Sequence, residues 1–142
     1  MTRPVVRGVA LAVLIVAAGS PQAVRSAETT HPGVSHTLLL KRDLPDTPGL
    51  ELIVWDTEYA PGAANPRHLH PAAVTFRVLS GTGIWQEDGN PPVTLHAGDT
   101  LSAPAGTIHA HWNPSATEKL RFLEFIVTTR DKERSIPQPQ TN

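Results

Sequence analysis

The chain has 142 residues, room for one ordinary domain, and its 12 Lys and Arg against 13 Asp and Glu give a net charge of −1. It contains no cysteine, which excludes disulfides, zinc–thiolate and iron–sulfur sites and thiol nucleophiles. Its 14 prolines and 10 glycines break the apolar runs into pieces too short for a helical bundle.

Residues 8–18 form an 11-residue apolar run behind Arg3 and Arg7. A positive start, a short apolar stretch and small residues after it read as a secretory signal peptide over residues 1–27, with cleavage between Ala23 and Ala27. A transmembrane helix would need about 20 apolar residues. The first 26 residues carry Arg3, Arg7 and Arg25 and no acid, so the remainder has nine basic and 13 acidic side chains, a charge of −4. That balance excludes the basic stripe of a nucleic-acid binder and an electrostatic membrane anchor after cleavage, and it fits a periplasmic or secreted protein.

Residues 28–37 are polar and turn-rich and read as a flexible N-terminal arm, with His31 and His36 in solvent. Leu38 to Leu40 begins a barrel region over 38–129. A turn at Pro45, Pro48 and Gly49 leads to a strand over Leu50 to Tyr59, whose two faces both look partly covered. Pro61-Gly62 breaks that strand, and residues 67–79 are again extended. Short strands follow at Ile84 to Gln86, Val93 to Leu95, Thr100 to Ala103, Thr107 to Trp112 and 120–128, each bounded by turn residues. From Arg130 the chain is polar, with Pro137 and Pro139, and residues 130–142 read as a disordered tail. Short strands at regular spacing predict an all-β sandwich or barrel in a single domain.

Four of the seven histidines fall in two pairs, His68-Leu69-His70 and His109-Ala110-His111. Residues two apart in a strand project from one face, so each pair sets two imidazoles side by side. Val74, Phe76 and Val78 continue the parity of His68 and His70 if the chain keeps phase through Pro71, which makes that face core-directed. Clustered buried imidazoles cost desolvation and mutual repulsion on protonation unless something organises them. Neutral imidazole is a common ligand for iron, zinc, copper and nickel. The spacing therefore points to a metal site, with histidines packed in a core as the alternative.

The stretch Gly62-x5-His68-x-His70-x10-Gly81 resembles the first cupin motif, G-x5-H-x-H-x3-4-E-x6-G. The second cupin motif, G-x5-P-x-G-x2-H-x3-N, is matched at Gly98, Pro104, Gly106, His109 and Asn113. The resemblance implies a cupin double-stranded β-helix, a jelly-roll barrel, with a metal on His68, His70 and His109. It also implies turn roles for Gly98, Pro104 and Gly106, and a turn-supporting role for Asn113. The motif's glutamate is missing, and Val74 stands at its place. Cupin-like dioxygenases acting on β-diketones or thiols resemble this chain in using three histidines without the acid. The resemblance then implies a divalent transition metal, Fe(II) first with Zn, Mn, Ni or Cu as alternatives, and a dioxygenase-type oxidoreductase on a small chelating substrate. Its rival is a barrel that binds a small ligand or metal without turnover. His111 is the candidate catalytic proton carrier, a fourth ligand, or a pocket wall. Trp85 and Trp112 are candidate walls or packing residues, Glu58 is a remote candidate for the missing acid, and Arg67 and His96 read as solvated. Small cupins pair through edge strands, so a homodimer is expected.

Overall fold

Nearly every run between turn residues in this sequence becomes a strand. The computed structural model describes residues 27–28 and 31–140, so the leader expected over 1–27 lies almost wholly outside the described residues. The strands are β1 (Ala27–Glu28), β2 (Val34–Asp43), β3 (Leu50–Tyr59), β4 (Ala64–Leu69), β5 (Val74–Ser80) and β6 (Thr82–Glu87). Then come β7 (Val93–His96), β8 (Thr100–Ala103), β9 (His109–Trp112), β10 (Leu120–Thr129) and β11 (Ile136–Pro137). No helix occurs among the described residues.

The strands form two antiparallel sheets, one ordered β1-β2-β3-β10-β5-β8 and the other β11-β4-β9-β6-β7. This is the all-β jelly-roll barrel. Alternation sets what each strand buries. On β10, Leu120, Phe122, Glu124, Ile126 and Thr128 face inward, while Arg121, Phe125 and Val127 face out. On β5, Val74, Phe76 and Val78 are buried beside them. Phe76 and Phe122 meet edge to face at 5.7 Å, and Trp85 from the facing sheet lies 5.0 Å from Phe76. These contacts join the two inner faces into one core.

Two stretches depart from the sequence reading. β2 begins at Val34, so residues 34–37 lie in a strand rather than in the expected arm, and His36 is fully buried. The local sequence Val-Ser-His-Thr is a weak strand signal, but pairing with β3 (Val34 opposite Tyr59, His36 opposite Thr57) satisfies its backbone. The C-terminal stretch, expected to be disordered, contributes β11, which pairs with β4 at Leu69 and His68. The Gln138 amide also donates to the Arg67 carbonyl at 2.9 Å. A polar, proline-bearing segment has no core to join, yet the open edge of β4 offers it backbone partners.

The turns are those the motif glycines require. Gly98 and Gly106 have φ of +97° and +80°, and the Gly106 amide donates to the His70 carbonyl at 2.9 Å. Asn113 ties the end of β9 to the rest of the barrel. Its side-chain amide donates to the carbonyls of Tyr59, Ala60 and Glu118, and its oxygen accepts from the Ser115 amide.

Gly81 is constrained twice. Its φ is +78°, and a Cβ there would strike the Lys119 carbonyl oxygen. Gly89 has a similar φ of +77° with open space around it. Gly89→Ala is therefore expected to cost about 1–2 kcal/mol for the left-handed backbone alone. Gly81→Ala should cost clearly more, about 3 kcal/mol. Urea unfolding of the two variants measures the difference, and equal losses would show that the approach to Lys119 carries no energy.

Candidate metal centre

β4 and β9 are neighbours, and their register sets His68 directly opposite His109. Each strand then adds a second imidazole two residues on. His70 lies just past β4, where the Gly106 amide fixes its carbonyl, and His111 lies within β9. All four side chains are buried. Ring centroids are 4.3 Å apart for His68 and His109, 5.0 Å for His68 and His70, 5.2 Å for His70 and His109, and 5.2 Å for His68 and His111. The ligand nitrogens of His68, His109 and His111 lie within 4.8 Å of one another, a spacing that one ion could draw together.

The outer nitrogens decide the tautomers. His68 Nδ1 donates to the Pro66 carbonyl at 2.7 Å, His70 Nδ1 to the Arg134 carbonyl at 2.7 Å, and His109 Nδ1 to the Thr107 carbonyl at 2.9 Å. A carbonyl only accepts, so the proton of each neutral ring sits on Nδ1 and the Nε2 lone pair is free. Nε2 of His70, His109 and His111 is buried without a hydrogen-bond partner among the described residues. His68 Nε2 has a 3.5 Å contact with the Asn65 amide, too long to satisfy it. Buried lone pairs without partners, clustered this closely, fit a cation, and the trio within 4.8 Å holds His111 where the motif has His70. His111 differs, because its Nδ1 lies 3.0 Å from the Tyr59 hydroxyl, a group that can donate or accept.

Burial keeps these rings neutral. It pushes His68 and His70 down to about 4 and His109 to about 3, with neighbouring histidines adding repulsion at His68 and His109 and Arg134 adding it at His70. Burial also holds His111 well below the ordinary range and Tyr59 well above its own. Trp85 stacks on His109 at 3.9 Å, and Phe76 lies 5.7 Å from His111. Phe76, Trp85, Leu120 and Phe122 line a small, partly open apolar cavity of about 30 Å³ beside His111.

Val74 is part of the packed core, so no carboxylate stands at the motif position. Glu58 is half-exposed and ion-paired with Lys119 at 2.6 Å, so it does not replace that acid. Arg67 pairs with Asp88, and His96 is exposed beside Asp99. Of the two buried acids among the described residues, Glu51 pairs with Lys41, and Glu124 lies next to a polar chain that the sequence reading missed. Thr57 donates to Glu124 at 3.2 Å and lies 2.9 Å from His36 Nδ1, while Arg134 reaches His36 Nε2 at 3.0 Å and Glu124 at 3.6 Å. Burial, followed by the Arg134 charge, drives His36 down to about 3. A legible signal existed for Glu124, an acid in the inward phase of an otherwise apolar strand. Arg134 had none.

Residues 55–126, half of the chain, match the family model described as Cupin domain. Among curated proteins, the chain is 31% identical to auxin-binding protein T85 of Nicotiana tabacum over 66% of its own length and 54% of that protein's. It is 30% identical to oxalate oxidase 1 of Hordeum vulgare over 75% of its own length and 57% of the other. The chain thus spans about half the length of the curated relatives it matches. Among solved structures, a cupin-like protein from Thermotoga maritima aligns with a TM-score of 0.56 at 28% identity, over 66% of this chain and 67% of that one. The polyketide cyclase RemF from Streptomyces resistomycificus aligns with a TM-score of 0.63 at 20% identity, over 82% of this chain and 83% of that one, a likeness of fold.

The depressed histidines make the metal-free protein acid-sensitive. Below about pH 6.5 the unfolded chain takes up protons that the folded chain refuses until about pH 3–4, so stability is full above that window and declines as pH falls through it. Each imidazole contributes at most about 1.4 kcal/mol per pH unit. Urea midpoints of metal-free protein should fall steeply between about pH 6.5 and 4.5. A flat profile would show that the folded barrel already holds these rings protonated.

Proposed function

The chain belongs to the cupin family, and on that premise we propose that it is an exported metal-dependent oxidoreductase of the dioxygenase type, acting on a small chelating substrate. The observation that carries this reading is the set of buried, clustered imidazoles whose Nδ1 protons are committed to backbone carbonyls, which leaves the Nε2 lone pairs for another partner. His68, His70 and His109 are the ligands in this reading, because their tautomer leaves Nε2 free. When bound there, a divalent ion, Fe(II) before Zn, Mn, Ni or Cu, would supply Lewis acidity, and Fe, Mn or Cu would add one-electron chemistry toward O₂ that Zn lacks. Three neutral ligands and no carboxylate leave the ion's full positive charge to attract an anionic chelator.

The protein's own residues do the rest. Phe76 and Trp85 wall the histidines and exclude water. Tyr59 stays protonated and donates to His111 Nδ1, which puts the His111 proton on Nε2, toward the other three rings. In that state His111 carries a proton to the site and is not a ligand. The rival reading, a binding barrel without turnover, draws on the auxin-binding relatives, while the oxalate oxidases favour oxidation of a small acid.

Elemental analysis of untagged protein beginning at residue 28 should find about one equivalent of transition metal, lost in His109→Ala. Metal at about 100 times its Kd should raise wild-type stability by about 2.7 kcal/mol and leave His109→Ala unchanged. His111→Ala should keep the metal but lose substrate-dependent oxygen uptake. Metal loss in His111→Ala would make that residue a ligand. Loaded protein that binds small acids without consuming oxygen would establish the binding barrel.

A further inference from the structure

The inner face of the six-stranded sheet continues past Glu124 to a second cavity of about 210 Å³, roofed by residues 132–134. That volume is below the roughly 300–1,000 Å³ of pockets for drug-sized molecules, so its ligand is small. Trp55 and Ile126 give it an apolar floor, and Lys41, Lys132 and Arg134 line it against one acid, Glu133. Two further acids stand behind these cations, Glu51 at 3.4 Å from Lys41 and Glu124 at 3.6 Å from Arg134.

The hydrogen-bond accounts of Arg134 and Trp55 do not close. The Arg134 Nε faces Glu124 and its Nη2 meets His36, but Nη1 is buried with no partner among the described residues. The indole Nε1 of Trp55 is orphaned in the same way, and the guanidinium carbon lies 5.2 Å from the Trp55 ring centroid. Buried donors are normally satisfied. Arg134 and Trp55 both line this cavity and pack against each other, so one acceptor with more than one oxygen would satisfy both orphans once the side chains turn toward it, and a carboxylate fits the guanidinium fork. We propose that this cavity binds a small organic carboxylate, whose oxygens accept from Arg134 Nη1 and Trp55 Nε1 and whose apolar part rests on Ile126 and the Trp55 ring. The Arg134 carbonyl caps His70 Nδ1, so this site lies on the Nδ1 side of His70 rather than its Nε2 side. It stands without the metal.

The test uses metal-stripped full-length protein, so that loss of the metal reading and loss of this one are separable. Benzoate is the probe and benzamide its neutral counterpart; affinity is read in every variant from the broadening of the ligand's own ring-proton resonances, and in wild type also from the Trp55 indole N–H resonance, which is assigned by its disappearance in Trp55→Phe. Benzoate should bind saturably at about millimolar Kd and move that resonance, with benzamide at least about tenfold weaker. Arg134→Gln should weaken benzoate about tenfold or more, and Trp55→Phe about fivefold, the loss of one hydrogen bond. Absence of benzoate binding, equal binding of benzamide, or undiminished binding in Trp55→Phe would overturn the assignment. Trp55→Phe keeps the ring in place, so the test holds even if Arg134→Gln does not fold.

Discussion

The interior depends on keeping four imidazoles neutral in one buried cluster. Like groups packed at centroid distances of 4.3–5.6 Å would repel on protonation, and burial already resists charging each of them. Neutrality alone does not orient a ring, since either nitrogen can hold the proton. Backbone carbonyls of Pro66, Arg134 and Thr107 remove that freedom for three of the four. Two of these carbonyls lie two residues before the histidine they hold, on the same stretch of chain, so forming the local backbone also sets the ring. The third comes from the C-terminal segment and is set by the tertiary fold. Pre-set rings spare a bound ion most of the ordering that a flexible site would require.

Replacing the motif glutamate with Val74 changes the charge of the interior as well as the ligand count. Val74 packs with Ile126 and Ala103, so that corner of the barrel is apolar. Beside the histidine cluster the interior holds a carboxylate, Glu124, one inward step along β10 from Ile126, and Arg134 and Thr57 engage it. A buried carboxylate left without partners would be costly, and its proximity to Tyr59 contributes to keeping that phenol protonated. The acid and guanidinium thus offset each other between the histidine cluster and the second cavity, and the cluster itself is left with neutral donors.

Much of this was legible because the information was local. Gly98, Pro104, Gly106, His109 and Asn113 lie close together in the chain, over two turns and the strands β8 and β9, and the glycines act through backbone geometry, although Asn113 reaches Tyr59 and Ala60 across the fold. The pairing of His68-His70 with His109-His111 was legible because strand parity is a two-residue rule, and the apolar phase of Val74, Phe76 and Val78 told which face was inside. His36 and Arg134 were not legible. They meet each other across 98 positions, each sits in a stretch whose composition signals a loop, and neither contact has a local cause. Glu124 falls between these cases. Its inward phase was readable from β10, but the partners that make its burial tolerable come from β3 and from the C-terminal segment.

The region that matches the family model ends at residue 126, and residues outside it complete the interior. β2 brings His36, and the C-terminal segment brings both the Arg134 guanidinium and the carbonyl that fixes His70. A barrel shared by many proteins needs its turns and its strand parity, and these are what the family pattern specifies. What surrounds the histidines on the Nδ1 side is supplied by strands and tails laid onto the barrel's open edges, where backbone hydrogen bonds accept almost any sequence. Substitution there is cheap for the fold and consequential for the site. The chemistry of one such barrel can therefore diverge from another while the motif residues stay the same. In this chain several of these contacts converge on Arg134, which touches a histidine through its backbone and the interior acid, His36 and the second cavity through its side chain.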